Sequence, residues 1–256
     1  MLNRTIFTVT AFIIFTIFIS VSVSCAQEQE MQPEDTEVWE PVPPKVDPGS
    51  FTKLPPPSDA VVLFDGANFD QWEHTDGGGK PEWKIEDDHM TVVAGTGSIQ
   101  TKKDFGSVQL HIEWRSPEKI EGEGQGRGNS GVFFQNRYEV QVLDAYENET
   151  YVNGMAGSIY KQHIPEANVA RKPGEWQSYD IVFIAPEFSD DGSLESPARV
   201  TVFWNGVLVQ HDVELEGPTE YIGHPSYEAH GEAPITLQDH SNPVSFRNVW
   251  VRELDK

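Results

Sequence analysis

Val108-Gln109-Leu110-His111-Ile112-Glu113-Trp114 decides the architecture. Its apolar residues fall on every second position, the period of a strand with one face in a core. The same alternation returns over residues 178–184 and 199–204, where Val200, Val202 and Trp204 share a face. Asn205-Gly206 then supplies the chemistry of a two-residue hairpin turn, leading into residues 207–210. Upstream, residues 60–64 form a short apolar run closed by Asp65-Gly66. Residues 83–85 and 90–93 read as a hairpin joined through Glu86-Asp87-Asp88-His89, and residues 235–238 and 246–252 complete the set. Beyond the N-terminus no long stretch keeps the 3.6-residue period of a helix. Many short strands between Gly- and Pro-rich turns predict an all-β fold, a two-sheet antiparallel jelly-roll sandwich with few short helices. Trp72, Trp83, Trp114, Trp204 and Trp250 are its expected core aromatics.

The first 25 residues read as an export signal: Arg4 opens it, and residues 6–23 are apolar apart from scattered Thr and Ser. The single cysteine, Cys25, stands where that run stops. Ser22-Val23-Ser24-Cys25 fits a lipoprotein cleavage site at which Cys25 becomes the acylated first residue, although Leu is usual where Ser22 stands. Ser24-Cys25-Ala26 also fits ordinary secretory cleavage, and an uncleaved anchor is the third option, since ~18 apolar residues is the lower bound for a span. The expected location is therefore a membrane-anchored lipoprotein, otherwise periplasmic or secreted, with membrane contact through the N-terminal lipid alone. Exported without another cysteine, the fold has no intramolecular disulfide and must rest on its core. Residues 26–58 carry Pro41, Pro43, Pro44, Pro48, Pro55, Pro56 and Pro57 and few large apolar residues, which predicts an extended, disordered tether. The formal net charge of −23 argues against nucleic acid and anionic polysaccharide as partners and leaves small neutral carbohydrates.

Tyr138-Glu139-Val140-Gln141-Val142-Leu143-Asp144 is the strand with chemistry on it. Tyr138, Val140 and Val142 point one way, Glu139 and Gln141 the other. Asp144 is out of phase with them, and a bulge or strand end near Leu143 is needed to bring its carboxylate to their side. A solvated strand face is the plain alternative. A second polar cluster, Leu237-Gln238-Asp239-His240, comes late in the chain. The run Gly122–Gly128 has glycines at nucleotide-loop spacing, but no βαβ unit surrounds it, so it reads as a flexible loop.

Several segments together resemble one family, the 3-keto-disaccharide hydrolase domain. They are Leu63-Phe64-Asp65-Gly66 followed by Trp72, Asn129-Ser130-Gly131-Val132, the Glu139–Asp144 strand and Gly157-Ser158-Ile159-Tyr160. The series continues through Pro173-Gly174-Glu175-Trp176, Trp204-Asn205-Gly206, Leu237-Gln238-Asp239-His240 and Phe246-Arg247-Asn248-Val249, in the family's order, over residues 60–254. The resemblance implies a concanavalin A-like sandwich that cleaves glycosides whose C3 hydroxyl has been oxidised to a ketone. It also agrees with Cys25, because many members are exported lipoproteins.

A ketone at C3 acidifies the C2 hydrogen, since its loss gives an enolate; the enolate expels the C1 substituent and water adds back. Such a site needs a base, an acid for the departing oxygen and a partner for the enolate oxygen. His240 is the first choice as base, an imidazole being able to take a proton near neutral pH. Glu139 is expected to act as acid or base toward the leaving oxygen, and Gln141 to bind a hydroxyl. Asp144 is expected to assist catalysis by binding hydroxyls or helping to hold a cation, and Asp239 to orient the base or contribute to a metal. Tyr160 and His163 are candidate substrate-binding residues on a loop. Arg247 is a candidate for the ketone oxygen, with a structural salt bridge the equal alternative. No His-x-His or cysteine pattern marks a metal site, so none is assigned, and the sequence names no cofactor. Two other functions stay open. Glu139-x-Gln141-x-x-Asp144 resembles the Glu-x-Asp-x-x-Glu strand of laminarinase-type retaining glycosidases, which need carboxyl groups ~5–5.5 Å apart. A non-catalytic carbohydrate-binding module would use the same face for recognition alone.

Overall fold

The computed structural model describes residues 31–47 and 54–254; the expected leader and Cys25 lie outside them. Fifteen strands follow in the described chain. The first eight are β1 (Val61–Phe64), β2 (Trp72–His74), β3 (Lys84–Glu86), β4 (His89–Thr91), β5 (Ile99–Thr101), β6 (Val108–Arg115), β7 (Ser130–Phe134) and β8 (Tyr138–Val142). The rest are β9 (Gln177–Ile184), β10 (Glu187–Phe188), β11 (Leu194–Ser196), β12 (Arg199–Trp204), β13 (Val207–Glu214), β14 (Thr236–Leu237) and β15 (Ser245–Glu253). The described helices are short 3₁₀ turns at Pro33–Thr36, Gly124–Gly126 and Val152–Gly154. None of the described helices is long and apolar enough to cross a membrane.

Two antiparallel sheets form the sandwich. The larger runs β13-β12-β9-β6-β15-β4-β3, with β1 also paired to β15; the smaller runs β2-β5-β14-β7-β8. Alternation in β6 places Val108, Leu110, Ile112 and Trp114 in the core, where Trp114 packs on Tyr179 and Trp204. From the smaller sheet Phe134 stacks on Phe183 with ring centroids 4.7 Å apart. Each such side chain contributes roughly 1.5–3 kcal/mol by leaving water. The Asn205-Gly206 turn has positive φ at both residues, 52° and 80°, as a type I′ hairpin requires. Strands β2, β5 and β7 escape the sequence reading: the first two have three residues each, and Gly131 interrupts the alternation of the third.

Residues 31–47 do not behave as the free tether that their proline content predicts. Val38 N donates to Asn153 Oδ1 (2.9 Å), Asn153 Nδ2 to Thr36 O (3.0 Å), and Val152 N to Val38 O (2.6 Å). Further along, Val46 N donates to Asn168 O and Asn168 N to Pro44 O. Proline forbids regular helix and sheet here, but backbone carbonyls remain acceptors, and this strap uses them along the domain surface.

Candidate active site

The register of β7 with β8 builds the floor of a cleft. Ser130 faces Val142, Val132 faces Val140 and Phe134 faces Tyr138, so these six turn to the core. The alternate pairs, Gly131 with Gln141 and Phe133 with Glu139, turn to the other side of the sheet. There a cleft of about 570 Å³ opens, and it brings together four of the sequence candidates: Glu139, Gln141, Tyr160 and His240.

Glu139 is the centre of this floor. It is 5% exposed, and its carboxylate takes no hydrogen bond or ion pair among the described residues. Gly131 makes room for it: a Cβ at that position would sit 2.3 Å from Glu139 Oε1. Burial without a compensating cation pushes the carboxyl up to about 8, so at neutral pH it holds its proton. Its backbone N donates to Thr219 Oγ1 (3.0 Å), tying β8 to the loop that carries Tyr221.

Gln141 is 1% exposed and fixed by its amide nitrogen, which donates to Gln125 Oε1 (3.1 Å) and Gly154 O (3.2 Å). Its Oε1 is buried without a hydrogen-bond partner. Tyr160 shares a 2.7 Å hydrogen bond with Tyr151 through their hydroxyls. Burial first, then the nearby Glu139 charge, pushes the Tyr160 phenol up to about 12, so it stays a neutral hydrogen-bonding group. His240 is exposed at the rim, delivered there because β14 pairs with Val132 and Phe133 of β7 and the chain leaves past Ser130, whose hydroxyl donates to Gln238 O (2.7 Å).

The other candidates lie elsewhere. Strand β8 stops at Val142, and no bulge returns Asp144 to the cleft; its carboxylate accepts from Arg127 Nε (2.7 Å) and Tyr146 N and faces a separate recess with Asn242. The Glu139–Asp144 pair of the laminarinase-type reading is therefore not formed. Asp239 stands beside His240 but accepts the backbone N–H groups of Gly95, Gly97 and Ser241, so it fixes the turn carrying the histidine. His163 Nε2 lies 2.7 Å from Glu214 O, bound to β13 rather than lining the cleft. Arg247 belongs to the other sheet, paired with Glu113 (2.6 Å) and Asp88 and stacked over Trp176 at 4.0 Å, the structural alternative rather than a ketone ligand. Among the described residues no group of three His, Cys, Asp or Glu side chains is placed to hold a metal ion.

Sequence reasoning missed Gln125, Asn129, Tyr151, Tyr221 and Glu37. Gln125 comes from the glycine-rich run read as a flexible loop; the run instead forms a 3₁₀ turn whose glutamine reaches Thr150 and Gly154. Glu37 comes from the strap. The few apolar residues of this proline-rich stretch, Val38, Trp39, Val42 and Val46, follow neither a strand nor a helix period, so no signal could have found it.

Residues 59–252 match the model of the 3-keto-alpha-glucoside-1,2-lyase-like domain. A crystal structure of a candidate glycosyl hydrolase from Parabacteroides distasonis ATCC 8503 is 53% identical, aligned over 86% of this chain and 96% of that one with a TM-score of 0.77. Two further candidate glycosyl hydrolases from the same organism share the fold: one at 20% identity, TM-score 0.57, over 77% and 94% of the two chains. The other is 21% identical, TM-score 0.50, over 76% and 99%. No curated protein matches the sequence. With its sandwich, its polar cleft and a family match spanning most of its length, the chain belongs to the 3-keto-alpha-glucoside-1,2-lyase-like domain family.

Proposed function

We propose that the protein cleaves 3-keto-glycosides by elimination across C1 and C2, followed by hydration. The observation that carries this reading is Glu139: a buried carboxyl, clear of any cation, that keeps its proton up to about pH 8 at the floor of a cleft with a histidine on its rim. That is the pairing of acid and base that an elimination needs.

His240 takes the C2 proton, and the C2–H electron pair becomes the enolate between C2 and C3. The enolate collapses to the enone as the C1–O bond breaks, and Glu139 gives its proton to the departing oxygen. Water then adds at C1 while C2 regains a proton, so the net change is hydrolysis. The Tyr160 hydroxyl donates to a substrate oxygen or the developing oxyanion, while the amide nitrogens of Gln141 and Gln125, bound to Gln125 Oε1, Thr150 Oγ1 and Gly154 O, hold the floor in place. A neutral carbohydrate fits a cleft whose polar groups are mostly amides and phenols.

Cys25 is the proposed lipid attachment point, with the domain exported and held at a membrane. The function is tested by product analysis on a 3-keto-glucoside and its unoxidised parent. Cleavage of the first alone supports the proposal; cleavage of the parent supports an ordinary glycosidase. Binding of both without turnover supports a carbohydrate-binding module.

A further inference from the structure

The cleft has a wall that the family match does not contain: Glu37 stands on the strap, ahead of residues 59–252. Its neighbours on both sides are pinned. Thr36 O accepts from Asn153 Nδ2, and Val38 bonds to Asn153 Oδ1 and Val152 N. Asn153 is 2% exposed, so the strap is anchored on a buried amide rather than laid on the surface. Lys161 ties the same wall to the opposite loop, donating to Pro33 O (2.6 Å) and Tyr221 O (2.8 Å). The Glu37 carboxylate accepts no hydrogen bond among the described residues, and its charge is felt by the phenols of Tyr151 and Tyr160.

Two independent features show that this wall faces a ligand site rather than bare solvent. Gln141, which lines the same cleft, is 1% exposed and leaves its Oε1 without a partner. Tyr221, also lining it, leaves 62% of its surface exposed, a flat ring available for stacking. Glu37 and Tyr160 also line a second recess of about 250 Å³, together with Asp35, Glu216 and Glu220. Against these carboxylates stand Lys161, already engaged by two carbonyls, and His224. The recess behind the strap is therefore acidic, and in the cleft itself Glu37 is, among the described residues, the one lining carboxylate besides the protonated Glu139.

We propose that the strap forms the leaving-group wall, and that Glu37 selects neutral, hydroxyl-bearing leaving groups and rejects anionic ones. Hydroxyls donate to the free carboxylate while Tyr221 stacks on the ring; a carboxylated or phosphorylated leaving group meets like charge on its way out of water. This selectivity rests on the elimination reading for which half of the substrate sits there.

The test compares two 3-keto-glucosides alike except that glucose is the leaving group in one and glucuronate in the other. Wild-type protein is expected to favour the neutral substrate in kcat/KM, and Glu37→Gln, which keeps shape and removes charge, to shrink that ratio roughly tenfold at low salt. Raised salt should shrink the wild-type ratio too. Tyr221→Ala should raise KM for both substrates and leave the ratio alone. A ratio unchanged by Glu37→Gln overturns the proposal. If wild-type protein cleaves neither substrate, the elimination reading fails by itself, and calorimetry with the unoxidised neutral and acidic disaccharides decides the strap. A neutral preference lost in Glu37→Gln upholds the selectivity; equal preference in both proteins, or no binding of either sugar, refutes it.

Discussion

Glu139 and Gln141 share a face because strand side chains alternate, and that much was legible from residues 138–142. The proton that Glu139 holds was not legible, since it depends on what lies across from it: Gly131, one strand away, removes the Cβ that would displace the carboxylate. Asp144 went the other way, drawn out by Arg127 from a glycine-rich loop 17 residues upstream. A charge partner at that distance leaves no local pattern. If Glu139 is the acid, turnover should fall as pH rises through about 8, where it loses its proton. Stability should follow the same group. Its proton affinity is raised on folding, so its contribution is complete below the ordinary carboxylate range and lost as pH rises toward about 8. Glu139→Gln should cut kcat on the order of 10²-fold or more. The variant should also flatten the fall in denaturant midpoint between pH 5 and 8. A variant with wild-type pH dependence in both measurements would remove Glu139 from the acid role.

At the level of elements, the central strands were readable and the strap was not. Strands β6, β9 and β12 carry their alternation openly, and Asn205-Gly206 names its own turn. Residues 31–47 pack through backbone carbonyls and one buried asparagine, neither of which leaves a periodic trace. The consequence differs from that of a passive tether. Removing residues 31–47 takes away the partners of Asn153 Oδ1 and Nδ2, two hydrogen bonds worth ~0.5–1.5 kcal/mol each. At ~2–4 °C per kcal/mol for a domain of this size, the thermal midpoint should drop by about 5 °C. Asn153→Ala in the full chain should reproduce much of that drop. An unchanged midpoint in both proteins would show that the strap adds nothing to the fold.

For the whole molecule, a sandwich core closed by stacked aromatics carries a cleft on the outer face of its smaller sheet. If Cys25 is acylated, the full chain expressed with its leader should partition into detergent, and Cys25→Ala should shift it to the aqueous phase. Equal partitioning would dismiss the lipid anchor without touching the enzymology. If cleavage begins with loss of the C2 proton, NMR of a 3-keto-glucoside in D₂O with and without the protein will register it. The released 3-keto-glucose should carry deuterium at C2 well above the protein-free control. His240→Ala should abolish both cleavage and exchange while keeping the wild-type thermal midpoint. Cleavage that leaves the C2 hydrogen in place, or equal cleavage of the unoxidised glucoside, would contradict the elimination.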